Sequence, residues 1–256
     1  MNKVIIPLNA LIPSMSSSKQ VELLPDILAA EAYGVEIRRE LMSDPLLEVQ
    51  EIRNQLIHSR LFCIYSAPVE LWGANHDLQK EILGLVAYEA KELGAKWIKL
   101  SLGHYEATVS DLSLLKEWLA SQIPDIQLLI ENDQTEHGGD LQRLETFFVN
   151  ADKQDVPIKM AFDSGNWLFT KEEAELALPR LSPYIIYLHL KHVIEVEGEL
   201  KTYPILEDKE EIWKKIVTSF PSNTVKALEF PLYSTEEMKK YINLLHETEL
   251  ERAENR

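Results

Sequence analysis

Residues 78–102 read LQKEILGLVAYEAKELGAKWIKLSL and hold two periodicities side by side. Leu78, Ile82, Leu85, Val86, Ala90 and Leu93 recur at the three-to-four spacing of one buried helix face. Gly94 follows as a helix stop, and Trp97–Leu102 is a short apolar run of strand type. A helix, a glycine and a strand make one unit of parallel βαβ structure.

The unit recurs along the whole chain. Strand-like runs are Lys3–Leu8, Val35–Arg38, Phe62–Ser66, Trp97–Leu102, Ile126–Glu131, Ile158–Asp163, Ile185–Leu190 and Val225–Glu229, which is eight in 256 residues, about 32 per unit. Helix starts have their own signals. Thr170–Glu173 and Ser234–Glu237 fit the capping-box pattern, and Asp44-Pro45 sets an N-cap before proline. The last helix runs from about Thr235 past Leu250, with Met238, Tyr241, Ile242 and Leu245 on one face and a polar end, Glu251–Arg256, that frays. An open dinucleotide-binding sheet wants a glycine-rich turn after its first strand, and Asn9–Ser14 contains no glycine. Eight units at this length predict an α/β fold, the (β/α)8 TIM barrel, as one domain over residues 1–256.

Composition bounds the rest. Charged residues make up 27%, and 26 Lys+Arg against 42 Asp+Glu leave a net charge of −16, which disfavours a nucleic-acid groove. Cys63 is the single cysteine, so no internal disulfide forms. The short apolar start, broken by Pro7 and Asn9, is not a signal peptide, and no run approaches a membrane helix. The expectation is a cytoplasmic protein with no membrane or nucleic-acid partner. Association into a homo-oligomer is left open.

In a barrel the active site lies at the C-terminal strand ends. Strands five to eight end in Glu131, Asp163, His189 and Glu229. Three carboxylates sharing one mouth repel unless a cation sits among them. With the imidazole they make a hard-to-borderline ligand set for one divalent ion, Mn²⁺ or Mg²⁺ first, Co²⁺ or Zn²⁺ also compatible. Taken singly, an acidic strand end is as readily a helix cap, and a lone histidine a satisfied structural residue.

The short motifs Gly34-Val35-Glu36-Ile37-Arg38, Ile130-Glu131-Asn132, Phe162-Asp163-Ser164-Gly165, His189-Leu190-Lys191 and Leu228-Glu229-Phe230-Pro231 occur in this order. Spacings of 32, 26 and 40 residues separate the four candidate ligands. With them the chain resembles the xylose-isomerase-like TIM barrel superfamily of sugar isomerases and epimerases, to which the family 2 apurinic endonucleases are related. The resemblance implies that Glu131, Asp163, His189 and Glu229 bind one divalent metal and that the two glutamates move the substrate proton. Three departures stand out. The family's Asp-x-x-His has Asn166 in its last place, His-x-Lys-Asp ends in His192, and the usual Gly-x-Gly turn after strand seven is replaced by Tyr203–Glu207.

The chemistry so implied is removal of a proton beside a ketone, through an enediolate. Glu131 and Glu229 are the catalytic candidates, one as base and one as acid. Substrate-binding candidates are Glu36, Arg38, His104, Asn166, Lys191 and His192. Each has a structural alternative: Glu36 and Arg38 can pair as a buried salt bridge, Lys191 can neutralise the acidic mouth, and His104, like His137, can be a solvated loop histidine. Trp72 and Trp167 suit a sugar face or a core, and Gly138-Gly139 suits an anion, which keeps a phosphorylated substrate open. Val193–Tyr203 alternates like a hairpin that could fold over the mouth. Competing readings on the same residues are a lyase or dehydratase of a keto-inositol, and a non-catalytic barrel whose site has decayed. An apurinic endonuclease is disfavoured by charge and by only seven histidines.

Overall fold

A computed structural model describes residues 3–14, 19–207 and 211–254. Strands β1 (Val4–Pro7), β2 (Gly34–Arg38), β3 (Phe62–Trp72), β4 (Trp97–Gly103), β5 (Gln127–Glu131), β6 (Ile158–Asp163), β7 (Ile185–Leu190) and β10 (Val225–Leu228) close into one parallel barrel in the order β1-β10-β7-β6-β5-β4-β3-β2. Helices α1 (Leu24–Ala29), α2 (Pro45–Ser59), α3 (Lys80–Leu93), α4 (Leu112–Gln122), α5 (Leu141–Lys153), α6 (Ala174–Leu181), α7 (Ile212–Ser219) and α8 (Thr235–Glu254) connect and surround them. This is the (β/α)8 TIM barrel that the alternation predicts. Among the described residues, no helix is long and apolar enough to cross a membrane.

The strand period of two sorts each strand into an outer and an inner row. The outer rows join the helices in the main core. The inner rows form a small separate layer of Ile5, Ile64, Leu129, Ala161, Tyr187, Val225 and Ala227. Gly34 opens the inner row of β2, where a Cβ would lie 2.1 Å from the Phe62 carbonyl oxygen of the neighbouring strand. One inserted methyl would therefore push backbone against backbone.

After β7 the chain makes an antiparallel hairpin of β8 (His192–Val196) and β9 (Glu199–Tyr203). Its two-residue turn, Glu197 and Gly198, has positive φ at both positions, as the strand twist demands.

Local signals succeed and fail for visible reasons. Asp44 caps α2 by accepting from Leu47 N, and Ser234 Oγ accepts from Glu237 N at the start of α8. The box at Thr170–Glu173 does not form. Lys171 takes a left-handed conformation, φ 60°, so α6 starts only at Ala174, and the Thr170 hydroxyl donates to Trp167 O at 3.2 Å instead. In α3 the buried stripe is Leu83, Val86, Ala87, Ala90 and Leu93. It is rotated from the expected one, leaving Leu85 exposed. Helix α8 continues to Glu254, and Asn255 and Arg256 of the expected frayed end lie outside the described residues.

Gly34→Ala should lower stability by about 1–3 kcal/mol through overpacking. Urea unfolding should show a lower midpoint at unchanged slope; an unchanged midpoint would contradict the packing described.

Candidate metal centre

Two residues beyond Leu129, Ala161, Tyr187 and Ala227, on the same inner rows, stand Glu131, Asp163, His189 and Glu229. Register sets Asp163 beside His189, while Glu131 pairs with Ala161 and Ala227 with His189, so Glu131 and Glu229 stand one inner-row step to either side of that pair. The four offer ligand atoms within 4.8 Å of one another. His189 Nδ1 faces Glu229 Oε2 at 3.0 Å, Glu131 Oε1 at 3.2 Å and Asp163 Oδ2 at 3.8 Å.

Each group is aimed by its neighbours. Asp163 Oδ1 accepts from Gly165 N and Asn166 N, both at 2.8 Å, which turns Oδ2 toward the other three. His189 Nε2 points the other way, 3.0 Å from Glu36 Oε2. That carboxylate oxygen also accepts from Tyr187 OH at 2.8 Å. Glu229 Oε1 accepts from Asn9 Nδ2 and Arg38 Nη1, each at 3.1 Å.

Two buried lysines and the half-buried Arg38 run through the cluster. Lys99 Nζ is 2.7 Å from Glu131 Oε1 and 3.1 Å from Glu36 Oε1. Arg38 Nη1 is 2.7 Å from Glu36 Oε1. Lys191 Nζ is 2.7 Å from Asp163 Oδ2 and 3.0 Å from Glu229 Oε2. Four carboxylates, counting Glu36, thus meet three fixed positive side chains, and the repulsion expected from sequence is largely met within the chain. Burial alone would raise the Glu36 carboxyl; Lys99, His189 and Arg38 overcome it and hold it well below the usual carboxylate range. Glu229 behaves alike, its burial outweighed by Lys191, His189 and Lys99. Asp163 goes the other way, raised chiefly by burial against the pull of Lys191. For His189, burial and Lys99 act downward but the surrounding glutamates win, lifting it to about 9.

The donor set fits a divalent ion. Asp163 Oδ2 is buried and accepts no hydrogen bond; its contact with Lys191 lies off the bonding directions. It shares with His189 Nδ1 and the two glutamates a single point of convergence. The Glu36 carboxylate behind His189 Nε2 stands where the outer partner of a metal-binding imidazole would stand.

The cluster opens on a cavity of about 680 Å³. Glu131, Glu229, Arg38, Asn166 and Lys191 line it, and Thr202 from β9 brings the hairpin to its rim. The other substrate-binding candidates fall elsewhere. Glu36 is fully buried beneath the cluster. His192 turns to Glu211 at 3.5 Å. His104 stacks on His137 outside the cavity lining. Asn166 has both amide ends engaged, Nδ2 donating to Asn132 O at 2.9 Å and Oδ1 accepting from Gln134 Nε2 at 3.1 Å. Trp72 and Trp167 are core residues, each 1% exposed. Gly138 lies against the Asp133 carboxylate, 2.3 Å from where a Cβ would be, which is no cradle for an anion.

In the sequence Asn132 has a place in a motif but no role, and Lys99 has neither. Lys99 had a signal: in Ile98-Lys99-Leu100 it takes an inner-row place two residues short of Ser101, the partner of Glu131. Asn132 joins the ends of β5 and β6, accepting from Asp163 N at 2.8 Å and donating to Asp163 O at 3.0 Å.

No family model matches the chain, and no curated protein matches it. Solved structures do. The chain is similar to an L-ribulose 3-epimerase (15% identity, 99% of this chain and 97% of that one, TM-score 0.66). It is similar to a probable 3-DHS dehydratase involved in petrobactin synthesis from Bacillus anthracis (12%, 95% and 98%, TM-score 0.65). A third is the IolI protein with a bound zinc atom (13%, 98% and 97%, TM-score 0.64). At these identities the likeness establishes the fold alone, a (β/α)8 barrel.

Glu36→Gln removes the negative partner of Arg38, Lys99 and His189 at once. The expected loss is about 3–5 kcal/mol, the cost of breaking a buried ion pair on one side. Glu36 titrates below its unfolded value, so its contribution is present at neutral pH and lost only as pH falls through the depressed value. Unfolding curves of both proteins from neutral to acid pH should converge at the acid end; a constant gap, or none, would refute the pairing.

Proposed function

We propose that the protein is a metal-dependent isomerase or epimerase of a small ketose or related keto-polyol, working by proton transfer through an enediolate. The observation that carries this reading is the pair Glu131 and Glu229, both lining the cavity and flanking His189 and Asp163. The ligands proposed are Glu131, Asp163, His189 and Glu229. A divalent ion held there, Mn²⁺ or Mg²⁺ first by ligand type, supplies Lewis-acid polarisation of the substrate ketone.

The chain's own groups do the rest. One of the two glutamates takes the proton from the carbon beside the ketone, and the same or the other returns one to the adjacent or inverted position. Lys99 Nζ, 2.7 Å from Glu131 Oε1, fixes that carboxylate in place. Arg38 and Asn9 hold Oε1 of Glu229, leaving Oε2 toward His189. Lys191 touches Asp163 Oδ2 and Glu229 Oε2, the oxygens proposed as ligands, so its ammonium competes with a cation until it withdraws into the cavity. The cavity volume suits a small sugar.

The test is a panel of ketoses and keto-inositols in deuterated water with added Mn²⁺, read by NMR. Solvent deuterium should enter the carbon next to the carbonyl, and Glu131→Gln or Glu229→Gln should slow entry by about 10²–10⁴. Product without deuterium would mean hydride shift, loss of water would mean a lyase, and no turnover with any divalent ion would sink the proposal. Independently, Mn²⁺ at about one hundred times its dissociation constant should add about 2.7 kcal/mol of stability. That gain should vanish in Asp163→Asn, as followed by thermal unfolding.

A further inference from the structure

We propose that Glu70, His104 and His137 form a second metal site, for a zinc-type ion, on the rim of the barrel mouth. It shares no residue with the inner cluster and does not rest on that cluster's assignment.

Glu70 comes from the far part of β3, His104 from the residue after β4 and His137 from the loop after β5. Strand β3 breaks register between Ser66 and Glu70 and then runs on, so that Glu70 lies beside Ser101 and Trp72 beside Gly103. Gly103 turns the chain at φ 70°, where a Cβ would stand 2.3 Å from Trp72 O. That close approach lets His104 N donate to Trp72 O at 2.8 Å, while His104 O accepts from His76 Nδ1 at 2.7 Å. His137 comes from the loop after β5. Its backbone is pinned by Gly138 N donating to Thr135 Oγ1 and Gly139 N to Thr135 O, both at 2.9 Å. All three side chains are thus presented by fixed backbone.

The two imidazoles stack, centroids 3.8 Å apart and planes 20° from parallel. Both present Nε2 to the same carboxylate: His137 to Glu70 Oε1 at 2.7 Å, His104 to Glu70 Oε2 at 3.9 Å. One ligand atom from each residue lies within 4.8 Å of the others. Ligands on a tetrahedral zinc stand about 3.4 Å apart, so small side-chain shifts, His137 away from Glu70 and His104 toward it, bring these atoms to that spacing. Two neutral imidazoles and one carboxylate are a zinc-type ligand set that leaves coordination places free. The residues are half-buried, with 38%, 32% and 26% of the side chains of Glu70, His104 and His137 exposed, so solvent ions reach them. Glu70 also lines the cavity that holds Glu131 and Glu229. An ion here would place a second positive centre at the entrance of the proposed substrate pocket.

The experiment is metal analysis of the full chain, stripped with chelator and titrated with Zn²⁺ or Co²⁺. The double variant Asp163→Asn/His189→Gln should keep one ion per chain, with the visible cobalt bands of a low-coordinate site. His104→Gln/His137→Gln should lose that ion and those bands. A chain with the inner set removed that binds no ion, or a rim variant with unchanged stoichiometry and spectrum, overturns the proposal. A rim variant that loses the single ion bound by the wild type supports this site and counts against the inner one. If the inner variant fails to fold, the wild type gives the answer: Zn²⁺ should shift the imidazole ¹⁵N resonances of His104 and His137 together, and unmoved resonances overturn it.

Discussion

A charge taken into the interior of a barrel must find its opposite there, and this chain meets that demand at one carboxylate. Glu36 is fully buried and touches Arg38, Lys99, Tyr187 and His189. Through Arg38 it reaches Glu229, through Lys99 it reaches Glu131, and through His189 it faces Asp163. Glu131, Asp163, His189 and Glu229 are therefore all within two contacts of Glu36. Such pairing costs desolvation and gains Coulomb energy in comparable amounts, so its firm result is orientation more than stability. His189 gains most, because a ring held at Nε2 can present only Nδ1 to the cluster.

The fold was legible because its signal is repeated. Eight runs at a steady spacing tolerate an error in any one of them, and the strand ends at Asp163 and Leu190 fall where the residue pattern places them. Single local signals were less safe. The Thr170 box reads as well as the Ser234 box, yet a positive φ at Lys171 dissolves one and nothing disturbs the other. The convergence of Glu131, Asp163, His189 and Glu229 was legible for the same reason as the barrel: each ends an inner row. Glu36 and Lys99 were not read as parts of that cluster. Their partners lie up to 153 residues away, at distances only closure of the barrel brings to zero. Asn166 shows a similar limit. A residue type that can bond a sugar oxygen also bonds Asn132 O and Gln134, and only the folded chain chooses between them.

The loops divide the work differently from the strands. Strand ends supply groups whose direction follows from the pleat, and these form the inner cluster. The rim depends on irregular backbone: the break in β3, the turn at Gly103 and the hydrogen-bonded loop after β5. A barrel can alter such a rim without touching the charge pairing beneath it, which is how one scaffold carries different chemistries.

The hairpin is joined to the cluster through a single peptide bond. Its first residue, His192, follows directly on Lys191, whose ammonium sits on Asp163 and Glu229, while Thr202 on the returning strand borders the cavity. No slack separates arm from anchor. Any displacement of the hairpin relative to β7 would therefore have to be absorbed at the peptide that joins Lys191 to His192.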